Sequence, residues 1–283
     1  MLPVRLPDER QPILDQIVDR FKSVRGIQAL VLGGSFARGV ARIDSDLDIG
    51  IYYAETESPD LGAIRDLAAQ ISVPDKPPTV TGLYEWGPWV NGGAWIQTKY
   101  GKVDFLYRNI QQVRRTITEA QNGITHHDFH QQPTLGFTSL IYLAETSYCI
   151  PLIDESGVIA QLKSEVAVYP EVLKTKIIRD SLWASEFTLI HAMNFANRGD
   201  VLNVVGCLAK IAFYLLQILF AANEQYYFGD KGALSEIDRF SKFPREFGSQ
   251  IESVFAAPGL DPEQLTASVR VFEAIRQSVA DVV

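Results

Sequence analysis

The sequence predicts an α+β protein: an N-terminal mixed β-sheet domain with flanking helices, followed by a C-terminal α-helical bundle. Three observations predict it. Helix and strand signals alternate up to about residue 110, a Tyr100–Gly101 turn joins two apolar runs as a hairpin, and every later pattern has helical period. At 283 residues the chain is long enough for two domains and can bury a sizeable core without disulfide or metal staples.

Residues 10–24 place Ile13, Ile17 and Phe21 at helical spacing between charges. Residues 28–32 (QALVL) read as a buried strand ended by Gly33 and Gly34, and residues 47–53 (LDIGIYY) as a second strand. A helix over 61–71 follows, and Pro74, Pro77 and Pro78 break the chain. Segments 79–86, 93–99 and 102–108 read as three further strands. From about residue 110 strand signals fade, leaving helices at 110–121, 135–149, 157–167, 171–197, 201–226, 232–241, 246–256 and 262–281. The loop 122–133 is the expected boundary, giving a sheet domain over 1–121 and a helical domain over 122–283.

Composition narrows the function. Acids outnumber bases by 34 to 26, a net charge of −8, which disfavours a protein that tracks a nucleic-acid backbone. Cys149 and Cys207 suit a reducing compartment, residues 1–14 lack a signal-peptide pattern, and the apolar run 211–222 is short for a membrane span. A cytoplasmic protein without a membrane partner is expected.

The chemistry concentrates in residues 32–53, LGGSFARGVARIDSDLDIGIYY. Gly33, Gly34 and Ser35 stand where a strand ends and a helical turn begins, so backbone N–H groups and a hydroxyl can meet phosphate oxygens. On its own such a segment is also an ordinary tight turn. Asp46 and Asp48 are two apart in a strand, hence on one face. Asp104, in KVDFLYR, offers a third carboxylate among apolar neighbours. Close carboxylates repel each other, and a hard divalent cation such as Mg²⁺ relieves the conflict. Three acids on one sheet face are what a two-metal phosphoryl- or nucleotidyl-transfer site requires.

Gly34–Ser35, ten intervening residues, Asp46-Leu47-Asp48 and a later strand aspartate resemble the DNA polymerase β-type nucleotidyltransferase superfamily over roughly residues 25–110. Arg38 and Gly39 fit that family's turn after the serine. The resemblance implies that Gly33, Gly34, Ser35 and Arg38 bind the nucleoside triphosphate. It also implies that Asp46 and Asp48 ligate two Mg²⁺ ions, with Asp104 as a third ligand or the base. The domain order resembles antibiotic adenylyltransferases acting on aminoglycosides or lincosamides, whose helical bundle supplies acceptor contacts. The segment FGDKGA, residues 228–233, is similar to one whose lysine meets the triphosphate, which makes Lys231 a phosphate contact. The implied activity is Mg²⁺-dependent transfer of a nucleoside monophosphate, AMP from ATP, to a small-molecule hydroxyl. The alternatives are a protein-modifying adenylyltransferase and a non-catalytic, antitoxin-like nucleotide-binding module. Acceptor, base preference and oligomeric state stay open.

Glu145, within SLIYLAETSYCI, and Glu186, within LWASEFTLI, are candidates for a general base, Glu145 being preferred. A stripe of Asn203, Lys210, Tyr214, Gln217 and Glu224 is either a cleft wall or a network inside the bundle. His126, His127 and His130 lie in a polar loop without the spacing of a zinc site. Trp86, Trp89 and Trp95 read as core, with one of them available to stack on a base or sugar ring, and Glu85 beside them has no assigned role.

Overall fold

The computed structural model describes residues 6–7, 9–229 and 231–283; the segment 1–5, Asp8 and Asp230 lie outside it. It divides into two compact units, residues 1–119 with 125–168, and residues 120–124 with 169–283.

In the sheet unit, α1 (Gln11–Phe21) is amphipathic and buries Ile13, Leu14, Ile17, Val18 and Phe21. Then come β1 (Ala29–Leu32), the single turn α2 (Gly34–Ala37), β2 (Leu47–Tyr53) and α3 (Leu61–Ile71). Helix α3 is capped by Asp60, which accepts from the Ala63 amide at 3.0 Å. Strands β3 (Thr79–Val80), β4 (Gly93–Thr98) and β5 (Gly101–Asn109) follow, and α4 (Ile110–Gln121) leads out of β5. A short pair, β6 (His127–Asp128) and β7 (Phe137–Thr138), precedes α5 (Leu140–Tyr148), β8 (Ile150–Ile153) and α6 (Val158–Val166).

The six-stranded sheet has the order β3-β4-β5-β2-β1-β8; β2 and β5 are parallel and the other neighbours antiparallel, so it is mixed as expected. Leu47, Ile49, Ile51 and Tyr53 of β2, with Val103, Phe105 and Tyr107 of β5, point to one side and form the core with α1 and α3. There Phe21 meets Phe105 edge to face at 5.3 Å.

Two strand expectations and one helix expectation change. Residues 81–86 are turns rather than a continuation of β3, because Gly82, Gly87 and Pro88 interrupt the ladder and Tyr84 takes a positive φ of 60°. The helix expected over 135–149 starts only at Leu140, after Gly136 (φ +93°) and β7. Strand β8 is new, and Pro151 in IPLI had hidden it. Proline is tolerated there because β8 is an edge strand, with a register shift against β1. That pairing ties residues 125–168 to the sheet unit, later than the boundary expected in 122–133.

The helical unit holds α7 (Glu171–Ala196), α8 (Val201–Ala222), α9 (Ala233–Ile237), α10 (Phe247–Ala256) and α11 (Pro262–Ala280). Asp200 and Asp261 cap α8 and α11 through the Asn203 and Gln264 amides. By length and composition α8 could cross a membrane, yet most of it is buried against α7 and α11. The polar stripe of α8 resolves into local pairs rather than one network. Asn203 meets its own cap Asp200, Lys210 lies 5.9 Å over the Tyr214 ring, and Glu224 binds Lys174 at 2.9 Å. Gln217 is buried, and its Nε2 has no partner among the described residues.

Candidate active site

The site grows from the sheet face opposite the core. Period-two alternation that sends Ile49 and Ile51 inward sends Asp48, Gly50 and Tyr52 to this face, and on β5 it sends Asp104, Leu106 and Arg108 there. Asp48 and Asp104 are directly opposed partners in the parallel ladder. Asp48 and Asp104, two of the three carboxylates expected at the site, therefore stand on one face of adjacent strands, whose spacing is about 4.8 Å.

At the end of β1 the Gly33 amide donates to the Asp48 carbonyl at 2.9 Å, locking the glycine turn onto β2. Gly34 has φ +58°, and a Cβ placed on it would lie 1.8 Å from Asp48 Oδ2. Only glycine lets the backbone pass so close to that carboxylate, and this is the physical content of the Gly-Gly-Ser sequence. Ser35 is half-buried in α2, and Arg38 closes the turn through its amide to Gly34 O at 3.2 Å. The Arg38 guanidinium lies 5.9 Å from the Tyr148 ring.

A cavity of about 100 Å³ adjoins the turn, lined among others by Gly33, Gly34, Asp48, Gly50, Arg108 and Glu145. Its inner wall is an ion pair that sequence reasoning did not connect. Arg108 Nε and Nη2 donate to the two Glu145 oxygens at 2.8 Å each, and Nη1 donates to the Tyr107 carbonyl at 2.9 Å. Arg108 is 4% exposed and stands over the Tyr142 ring at 5.3 Å. Burial alone would lower its pKa, but Glu145 beside it holds the guanidinium above its usual range. The signal was present in KVDFLYR, since Arg108 shares the period of Asp104. Burial, reinforced by Glu145, raises the Tyr148 hydroxyl well above its ordinary pKa, and burial pushes the Cys149 thiol up to about 11. Both line the cavity as neutral groups at pH 7.

The other sequence-derived residues are distributed as follows. Asp46 is half-buried just before β2. Among the described residues no three His, Cys, Asp or Glu side chains are gathered closely enough to hold a metal ion. The expected trio is thus a facing pair, and Asp46 is not drawn into a three-carboxylate cluster with it. Asp44 is exposed and meets Arg42 at 3.5 Å. Glu145 belongs to the sheet unit with both oxygens engaged, while Glu186 lies in the helical unit and binds Arg276 at 2.8 Å. Lys231 is exposed in the turn before α9. His126 meets Glu119 at 3.0 Å and His127 meets the Leu135 carbonyl at 2.6 Å. Trp89 packs on Phe137 at 5.6 Å, whereas Trp95 is exposed.

Residues 14–87 match the nucleotidyltransferase domain family, a span that contains the glycine turn, Asp46 and Asp48. The matched span lies within the sheet unit, which in that stretch is similar to the nucleotidyltransferase domain family. Residues 140–231 match a domain of unknown function, DUF4037. Among solved structures the chain is similar to a nucleotidyltransferase-like protein from Exiguobacterium sibiricum, at 10% identity over 95% of this chain and 74% of that one, TM-score 0.43. It is also similar to an aminoglycoside 6-adenyltransferase from Bacillus subtilis, at 12% identity over 98% and 91% of the two chains, TM-score 0.33. No curated protein matches the chain.

Proposed function

We propose that this nucleotidyltransferase moves the AMP moiety of ATP to a hydroxyl of a small-molecule acceptor and releases pyrophosphate. The observation that carries the reading is the opposition of Asp48 and Asp104 beside a glycine turn whose Cβ-free backbone reaches Asp48. Two carboxylates on adjoining strands form a hard-oxygen donor set, and a divalent cation of the Mg²⁺ type fits it. Asp48 and Asp104 would hold Mg²⁺ between the two strands, and Asp46, outside that facing pair just before β2, would be left to a second ion. When bound, these ions neutralise triphosphate charge and favour the oxyanion form of the acceptor.

The chain's own groups do the rest. Gly33 and Gly34 amides, the Ser35 hydroxyl and the Arg38 guanidinium bind and orient the triphosphate. Asp104 takes the acceptor proton. The acceptor oxygen then bonds to the α-phosphorus as the bridge to the β-phosphate breaks, and the electron pair leaves on pyrophosphate. Glu145 is an anchor rather than the base in this scheme, because Arg108 occupies both its oxygens. The net charge of −8 opposes extended nucleic acid as acceptor.

The test is pyrophosphate release from Mg²⁺-ATP across aminoglycosides, lincosamides and simple glycosides. Asp46→Asn combined with Asp48→Asn should abolish it while circular dichroism and Tm are retained. Undiminished turnover by that folded double variant would end the proposal.

A further inference from the structure

One row of residues crosses the sheet at a single level. The Gly33 amide binds the Asp48 carbonyl, Asp48 faces Asp104, and Asp104 in turn faces Trp95 of β4 in the antiparallel ladder. Directly opposed residues share a face, so the Trp95 indole stands beside the acid pair, on the far side from the glycine turn. It is 54% exposed, although an aromatic of this size usually contributes to a core.

Trp95 is also backed. Trp86 stacks on it, with ring centroids 4.7 Å apart and planes 23° apart. The loop that brings Trp86 there is held from within the sheet unit: Gln131, 8% exposed, donates through Nε2 to the Trp86 carbonyl at 2.6 Å. Its Oε1 accepts from the Trp89 and Val90 amides at 3.1 and 3.0 Å. Gly87 sits so close that a Cβ there would lie 2.0 Å from Gln131 Nε2. The stack is pre-positioned and leaves one indole face for a ligand.

In-line displacement decides which ligand. The entering oxygen must lie opposite the leaving pyrophosphate, with the α-phosphorus between them. With the triphosphate on the Gly33–Ser35 side and the reacting centre at Asp48 and Asp104, the entering oxygen comes from the Trp95 side. The apolar C–H face of a saturated ring suits the electron-rich indole face.

We propose that Trp95, backed by Trp86, is the acceptor platform, and that the acceptor is a polyhydroxylated saturated ring, a pyranoside or cyclitol, stacked so that a hydroxyl reaches Asp104. This deepens the nucleotidyl-transfer reading and rests on it. The probe is methyl β-D-glucopyranoside, with glycerol as open-chain control, added to protein saturated with Mg²⁺ and α,β-methylene-ATP. Proton NMR saturation transfer and indole fluorescence are read. Wild type should show saturation of the pyranoside ring protons and little of glycerol. Trp95→Ala should lose at least fivefold of that signal, Trp95→Phe should keep most of it, and both should bind the nucleotide analogue within twofold of wild type. Trp86→Ala, which unbacks the platform, should give an intermediate loss and serves if Trp95→Ala does not fold. No pyranoside contact in wild type, an equal signal in a folded Trp95→Ala or Trp86→Ala protein, or a tenfold loss of nucleotide affinity with the pyranoside signal kept overturns the platform alone. Failure of wild type to bind the Mg²⁺ analogue overturns the nucleotidyl-transfer reading itself.

Discussion

The two faces of the β2–β5 ribbon are built from interleaved residues of the same strands, and they obey opposite rules. On one face Leu47, Ile49, Ile51, Val103 and Phe105 are fully buried and interlock with α1 and α3. On the other, Asp48 and Asp104 oppose each other, Gly50 withholds a side chain, and Arg108 is buried only because Glu145 meets it with both oxygens. The apolar face gains stability from every atom it hides. The acidic face gives up packing in order to keep two carboxylates together. Stability and chemistry are thus separable at a spacing of one residue.

Neighbouring substitutions break that comparison most sharply. Asp48→Asn should lower Mg²⁺-dependent pyrophosphate release by roughly 1000-fold, the equivalent of about 4 kcal/mol of transition-state stabilisation, with Tm nearly unchanged. Ile49→Ala, one residue on, should cost about 2–5 kcal/mol in urea unfolding while the folded fraction retains turnover. Next in size, Glu145→Ala strands the Arg108 guanidinium and should destabilise the fold by about 3–5 kcal/mol. Replacing both partners with methionine should recover most of that loss, which a double-mutant cycle in urea measures.

Gly34→Ala sharpens the comparison further. The new methyl meets Asp48 Oδ2, and the positive φ is unfavourable for alanine, so turnover should fall by about 100-fold with a smaller stability loss. The smallest effect is at alkaline pH. Burial raises the Cys149 thiol from its ordinary 9.0 to about 11, so its neutral form is preferred in the folded state. That contribution is complete below pH 9 and fades as pH rises through 11, about 1.4 kcal/mol being lost by pH 10. Urea titrations at pH 8, 9 and 10 should show the decline, and Cys149→Ala should flatten part of it.

The acidic face was legible in the sequence because local rules produce it. Asp48 and Asp104 each stand among alternating apolar residues of a strand, and the Gly-Gly-Ser turn directly precedes the acidic segment that it comes to face. Helices α3, α4, α7 and α11 were legible for the same reason, each carrying a long apolar period. What stayed hidden depends on contacts distant in the chain. The Arg108–Glu145 pair spans 37 residues. Strand β8 carries a proline that only an edge position permits, and the Trp86–Trp95 stack requires Gln131 to hold the intervening loop. Asp46 shows the converse error: strand periodicity was extended one residue beyond the point where β2 begins at Leu47.

The most direct measurement of the central claim uses ATP labelled at either the α- or the γ-phosphate, with Mg²⁺ and a glycoside acceptor panel, in wild type and in Asp48→Asn. The account predicts that α-label alone passes to an acceptor, in step with pyrophosphate release, and that Asp48→Asn abolishes both. Transfer of γ-label, or α-label transfer that survives Asp48→Asn in a folded protein, would contradict it.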